Sequence, residues 1–420
     1  MARVHVIGAG LAGLASAVAL ARAGWEVVVY ETAGQAGGRC RSFYDDALDR
    51  VIDNGNHLLM SANSAALAYL EAIGSVGSFW SPDRAAYPFF DLGTGERWTV
   101  VPTRGAFPRW IFDRSARVAG TSPWHYLSAL RLRFAGRRHT VGQCLATTNP
   151  LYARFWEPLC VAALNTNPEE ASAAILWRVV EETFAAGSDG CIPMVAREGL
   201  GPALVDPALA TLRNLGAAVH FNTRARAIEF EGGRATGLSF VGAHVGEVAV
   251  GADDMVLCAV PPLAAQALLP DLVVPQLSRA IVNAHFRVAR PLTQSGEVEF
   301  LGLVGGTANW LFLRGDIVSV TVSAADDLAE LDNRAVEAAL WRDTGAALGL
   351  ADNDLVAARI IKEKRATFAQ TPAQVAMRPT ARTKWKNLAL AGDWTDTGLP
   401  ASIEGTIRSA NTAVGVLTGR

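Results

Sequence analysis

The run Arg3-Val-His-Val-Ile7 leading into Gly8-Ala-Gly10-Leu-Ala-Gly13 constrains this 420-residue chain more than any other stretch. Residues 3–7 are short, β-branched and apolar, as a strand buried in a parallel sheet should be. Gly8 permits a tight turn, Gly10 lets a phosphate approach the backbone, and Gly13 lets the next helix pack closely on the sheet. That Ala-rich helix, with Leu11 and Ala12 in its first turn, offers unpaired N–H groups and the positive end of its dipole to an anion. Trp25–Tyr30 reads as a second strand. It ends at Glu31, whose carboxylate suits both hydroxyls of an unphosphorylated ribose. Strand, glycines, helix, strand and acid in register predict a dinucleotide site. The charge-free stretch up to Ala21 also imitates a signal peptide or short membrane span. Its glycine breaks and the strand that follows predict instead a folded, retained N-terminus.

Composition narrows the class. Half of the residues are hydrophobic and only 19% are charged, which points to apolar ligands or a membrane surface. A net charge of −2 provides no global attraction for nucleic acid. The five cysteines are odd in number, widely spread and without a CxxC, so neither a disulfide framework nor a zinc site is expected. Reduced thiols in a cytosol fit better. The seven histidines show no paired-ligand spacing, and no metal is expected.

Several later stretches can carry chemistry. The Gly37-Gly38-Arg39 loop can lay backbone and a guanidinium over a phosphate or a flavin. In Asp53-Asn-Gly55-Asn56-His57 the glycine allows close approach of another group, and His57 is a lone titratable residue, either structural or in an active site. Between Arg104 and Arg138 stand eight arginines and one acid, Asp113, interleaved with Phe107, Trp110, Phe112, Trp124, Leu127, Leu130 and Phe134. Lysine is absent there and no nucleic-acid fold signature accompanies the arginines. The stretch reads either as helices that dock on an anionic membrane or as an amphipathic helical pair covering the core. Residues 154–173 read as an apolar helix ending in a Pro/Asn turn, with Asn165 or its Asp/Glu neighbours free to point into a cavity or simply to pack. Residues 199–214 suggest a helix, 219–228 a strand, and 255–258 a buried strand stopped by Pro261 and Pro262. Alternating strands at 298–304, 310–314 and 318–322 precede a helix near 335–348. The tail runs from a strand into Gly392-Asp393-Trp394, and Ser402-Ile403-Glu404 opens the last helix. Only one full GxGxxG is present, so no built-in nicotinamide domain is expected, and electrons must enter or leave through the active-site mouth or an external partner.

Gly37-Gly38-Arg39 behind the first βαβ unit, together with Gly392-Asp393 near the far end, resembles the signatures of the flavoprotein amine oxidase and phytoene desaturase superfamily. The segment Arg154-Phe-Trp-Glu157-Pro through Asn165 to Ala173 resembles the diagnostic stretch of the squalene-associated flavoproteins of hopanoid biosynthesis, the hydroxysqualene dehydroxylases. The resemblance covers essentially the whole chain. It implies an α/β fold: a Rossmann-like FAD-binding domain from residues 1–75, 197–272 and 356–420, and an α+β substrate-binding domain from 76–196 and 273–355. FAD is then held noncovalently, since no cysteine follows Cys258. Its implied contacts are Gly8, Gly10, Leu11, Ala12, Gly13, Glu31, Gly38, Arg39, Gly55, Asn56 and His57. Ala225 meets the adenine through its backbone, and Gly392 and Asp393 meet the ribityl or pyrophosphate. The helix N-terminus at Ser402, Ile403 and Glu404 faces the flavin N1/O2 edge.

The activity implied by the same resemblance is reductive dehydroxylation of hydroxysqualene to squalene. Loss of water leaves an allylic cation, and reduced flavin supplies hydride to it. His57 and Glu157 are the candidate acids for the leaving hydroxyl. A C30 isoprenoid gains on the order of 20 kcal/mol by leaving water, at ~0.8 kcal/mol per carbon. The enzyme is therefore expected to work on the cytoplasmic face of a bacterial membrane, as a peripheral protein. An oxidative carotenoid-type desaturase, a flavin amine oxidase and a non-enzymatic lipid binder remain as alternatives.

Overall fold

The computed structural model describes residues 2–105, 107–243, 246–294 and 297–419. The glycine-rich stretch begins a five-stranded sheet in the order Ala218–His220, Glu26–Tyr30, Arg3–Ile7, Met255–Cys258, Leu388–Leu390. Every neighbour pair in it is parallel. The first strand is central, so the sheet is laid down outward from it in both directions. The carboxyl ends on either side of it open the crevice where doubly wound sheets bind ligands. Burial on both faces explains the unbroken apolar strands, and the helices Leu11–Arg22 and Ile403–Thr418 share one core over one face.

A second, seven-stranded sheet runs Leu355–Phe368, Ser278–Val288, Ile317–Val322, Trp310–Arg314, Glu299–Val304, Tyr87–Asp91, Arg97–Val100. Its pairs are antiparallel except where Glu299–Val304 meets Tyr87–Asp91. One face packs on the helix Asn333–Leu348, and the other contributes to the cluster formed with the helices of residues 151–180. The long strand Leu355–Phe368 pairs along Ser278–Val288, from Val288 opposite Leu355 to Ser278 opposite Phe368. A boundary at 355/356 would cut this ladder, so residues 356–368 go with the second sheet rather than with the FAD-binding domain.

Three further expectations need correction. The described residues of 104–138 do not form a helical pair: they make the turn Arg109–Phe112 and one run in which the tight turns of Pro123–Ser128 pass directly into the short helix Ala129–Arg133. Pro108 and Pro123 stand at the start of the two runs, where a missing N–H costs nothing, and Gly120, with φ +73°, separates them. The strand expected over 219–228 is split into Ala218–His220 and Thr223–Glu231 by Asn222, whose φ of +52° turns the chain out of one sheet and into another. The helix expected from 199 starts as a wide turn, Gly201–Val205, before Asp206–Asn214 continues as regular α-helix.

Candidate active site

The three glycines after the first strand serve different ends. Gly8 has φ +104°, and a Cβ there would lie 2.6 Å from the Ala259 carbonyl oxygen. A Cβ on Gly13 would lie 1.9 Å from the Gly8 carbonyl oxygen. Both positions are closed by the protein itself. Gly10 differs, because no protein atom comes within 4 Å of the Cβ it lacks. The gap lies at the N-cap of Leu11–Arg22, where the first N–H groups have no intrahelical partner. Nothing in the chain forbids a side chain at Gly10; an approaching ligand would.

Around this gap the chain arranges charge. The Glu31 carboxylate accepts from the Ala9 N–H at 2.7 Å and the Ala33 N–H at 2.8 Å. With about four acceptor positions, it keeps capacity for two hydroxyls. Thr223 N–H donates to the Glu31 carbonyl at 2.8 Å, which sets Ala225 two residues beyond that acid. Gly37 has φ +101°, and its N–H donates to the Ala9 carbonyl at 2.8 Å. That bond lays Gly38 against Gly10. Arg39 then reaches across to Asp393 with two parallel hydrogen bonds of 2.7 and 2.8 Å and also meets the Ala366 carbonyl. The ion pair pushes the guanidinium pKa up, with the Asp393 charge as its main cause. Gly392 has φ +152°, and a Cβ on it would strike the Trp394 ring at 2.5 Å.

The segment 53–57 is held by a buried polar chain. Asp53 accepts from the Ser42 hydroxyl and the Leu200 N–H and lies 3.4 Å from Arg314. Asn56 Nδ2 donates to Thr321 Oγ1, Thr321 Oγ1 donates to Asn283 Oδ1, and Asn283 Nδ2 donates to the Asn54 carbonyl. Gly55 gives way to the Asn283 amide, 3.2 Å from where its Cβ would stand. His57 emerges from this chain onto a cavity lined largely by Leu58, Met60, Tyr87, Phe89, Phe155, Leu159, Trp310 and Phe312. Burial, and next the Arg39 charge, lower the His57 pKa to about 4. Ser402, Ile403 and Glu404 line the same cavity. Ser402 Oγ caps the last helix by accepting the Gly405 N–H at 3.1 Å. The Glu404 carboxylate is committed elsewhere: it accepts the Ala65 and Ala66 N–H groups at the start of helix Ser64–Ala72, and Arg408 Nε.

Residues 11–418 match the family described as flavin containing amine oxidoreductase. Hydroxysqualene dehydroxylase of Rhodopseudomonas palustris is 46% identical over 410 residues, covering 98% of this chain and 97% of that protein. The enzyme of the same name from Sinorhizobium fredii is 44% identical, with the same coverage of both chains. The chain belongs to the hydroxysqualene dehydroxylase family. Among solved structures, a double mutant of putrescine oxidase superposes with a TM-score of 0.72 at 16% identity, covering 100% of both chains, and so shares the fold.

As a hydroxysqualene dehydroxylase family member, the protein is an FAD-dependent oxidoreductase with the Rossmann-like α/β fold. FAD fits the residues present. The open space at Gly10 beside the helix N-terminus suits the pyrophosphate, and the Glu31 carboxylate suits the ribose.

The two candidate acids part company. His57 lines the cavity, but Glu157 does not. Its helix, Glu157–Leu164, turns Leu159, Ala162 and Ala163 inward. At 100° per residue a side chain two positions before Leu159 lies on the far side. Burial, and then the Glu169 charge, raise the Glu157 pKa there, away from the cavity. Asn165 does line the cavity, yet its amide is engaged: Oδ1 accepts the Ala324 N–H at 2.6 Å and Nδ2 donates to Thr367 Oγ1 at 3.0 Å. Trp394 is buried in the core, donating to the Val260 carbonyl, and does not line the cavity as an amine-sandwiching ring would. Sequence reasoning missed Glu182, Asn283, Arg314, Thr321 and Arg408. Thr321, Asn283 and Arg314 lie in strands whose residues give no local sign of which ladder they will join.

Proposed function

We propose that the protein converts hydroxysqualene to squalene by reductive dehydroxylation. What carries this reading is the 46% identity, over 98% of the chain, to a hydroxysqualene dehydroxylase. The character of the cavity supports it. Aromatic and aliphatic side chains form most of its wall, as a long isoprenoid chain requires.

The chemistry sets clear tasks. An allylic C–O bond breaks, the oxygen takes a proton and leaves as water, and the carbon becomes a delocalised cation. Hydride addition to that carbon forms the new C–H bond, so ROH, H⁺ and H⁻ become RH and H₂O. FAD, when bound and fully reduced, would supply the hydride and, on returning to its oxidised form, the balancing proton. The wall of Leu58, Phe89, Phe155, Leu159 and Phe312 excludes the water that would return the cation to alcohol. The ring faces of Tyr87, Phe89, Trp310 and Phe312 carry the negative side of their quadrupoles, which favours a cation beside them. His57 is the candidate acid that lines the cavity. Held neutral by burial, it orients the hydroxyl by donating or accepting one hydrogen bond. Glu182 and Glu404 line the cavity as carboxylates bound by Arg408.

The test is anaerobic. The FAD-loaded protein is photoreduced and mixed with hydroxysqualene, while flavin absorbance and products are followed. Reoxidation in step with squalene formation is the expected result. Stable reduced flavin with no squalene sinks the reading, and dehydrogenation of phytoene by the oxidised protein would put a desaturase in its place.

A further inference from the structure

We propose that the surface built by residues 104–138 is a docking face for a bilayer containing anionic lipid. Its large apolar side chains project into solvent: Trp124 is 76% exposed, Phe134 78% and Phe107 63%. Phe107 and Phe112 stack on each other, ring centres 6.1 Å apart, with both rings still exposed. Leu127 and Leu130 continue the patch. Soluble monomers seldom leave so much apolar surface together without something to cover it.

Charge identifies the cover. The same stretch holds eight arginines against Asp113, in a chain whose net charge is −2. Arg109, Arg114, Arg131, Arg137 and Arg138 are exposed, and among the described residues none of them makes an ion pair. The partner must satisfy unpaired guanidiniums and bury aliphatic and aromatic side chains on one face. Phosphate headgroups above an acyl layer do both. The short turns here suit shallow insertion at the headgroup level, since none has the length to enter the hydrocarbon as a helix.

The face is continuous with the cavity wall. Ser188 N–H donates to the Thr103 carbonyl at 3.0 Å, and a Cβ on Gly187 would lie 2.6 Å from the Gly105 carbonyl oxygen. Thr183 and Phe184, just before this seam, line the cavity. The Tyr126 ring sits 6.5 Å from Phe155, another lining residue. Docking would therefore set the bilayer one side-chain layer from the cavity. The proposal rests on this surface alone and holds whichever apolar substrate the enzyme takes.

Co-sedimentation of the FAD-loaded protein with vesicles tests it. Vesicles of phosphatidylcholine with phosphatidylglycerol should carry the protein down, and pure phosphatidylcholine should carry far less. Added salt should release it. The double variant Trp124→Ser/Phe134→Ser should bind about tenfold more weakly. Each arginine changed to glutamine at 131, 137 or 138 should cost about fivefold. Flavin absorbance and melting temperature should match the unmodified protein, and the arginine series stands alone if the double variant fails to fold. Wild-type protein left in the supernatant with anionic vesicles overturns the proposal. So does equal binding by both variant sets, or a wild-type dimer in sedimentation velocity that the double variant dissociates while vesicles capture nothing.

Discussion

Arg39 and Asp393, 354 residues apart in sequence, face each other in a two-point ion pair of 2.7 and 2.8 Å. The Arg39 loop is held to the first βα turn through Gly37, and Asp393 follows the last strand of the parallel sheet. The pair therefore closes the two ends of the chain beside the gap at Gly10. Replacing Asp393 by Asn leaves Arg39 without its counter-charge. Stability should fall by about 1–3 kcal/mol, since Arg39 is partly exposed and Asp393 is buried. FAD should be lost on gel filtration, read from the ratio of flavin to protein absorbance. Arg39→Lys, a point charge without the planar fork, should give a smaller loss of the same kind. Full flavin retention in Asp393→Asn would separate the pair from the cofactor.

Gly10 and Gly13 make a contrasting pair. Gly13→Ala puts a methyl within 1.9 Å of the Gly8 carbonyl oxygen and should prevent or severely weaken folding. Gly10→Ala meets no protein atom within 4 Å. Its flavin-free form should melt within about 0.5 kcal/mol of the parent, while FAD affinity drops about tenfold or more. Thermal melts with and without added FAD distinguish the two outcomes, and an equal loss in both forms would contradict the ligand role of the Gly10 gap.

Buried histidines set an acid limb of stability. His285 is fully buried, and burial, then Arg314, lower its pKa to about 4. Its unfolded value is 6.5. The unfolded chain thus binds more protons between these values, and stability falls as pH drops from 6.5 towards 4, by at most about 1.4 kcal/mol per unit for this group. Above 6.5 the contribution is constant. Urea melts of wild type and His285→Gln across this range should diverge in slope, with the variant flatter.

For His57, likewise lowered to about 4, the consequence lies in activity. The pH profile of kcat/KM should show no inflection near 6.5 assignable to this residue, and His57→Gln should slow turnover without moving the profile between pH 5.5 and 8. A wild-type inflection near 6.5 that disappears in His57→Gln would mean that the imidazole titrates normally.

Asn165 holds two strained backbones together. Its own φ is +47°, and its side chain accepts from Ala324, where φ is +49°. Asn165→Ala loses both the tolerance for this conformation and the hydrogen bonds, and should cost about 2–4 kcal/mol. Asn165→Gly keeps the backbone freedom and should cost less. Urea unfolding of the two variants orders them, and equal costs would show that only the hydrogen bonds matter.

The first βαβ unit was legible in the sequence because it is local. Gly8, Gly10, Gly13 and Glu31 belong to one βαβ unit, where strand period, helix start and glycine geometry leave little choice of partner. The family likeness carried in Gly37–Arg39, Gly392–Asp393 and residues 154–173 extended this to the full chain. What the tertiary structure alone decided depends on the register of distant strands and the rotation of helices. It turned Glu157 away from the cavity while Leu159 on the same helix faces it. It drew Leu355–Phe368 onto Ser278–Val288, and it brought Thr321 and Asn283 under Asn56. No local pattern encodes such pairings, because a one-residue shift of a strand or a 100° turn of a helix exchanges which side chains meet. Only the packing of the whole chain selects among them.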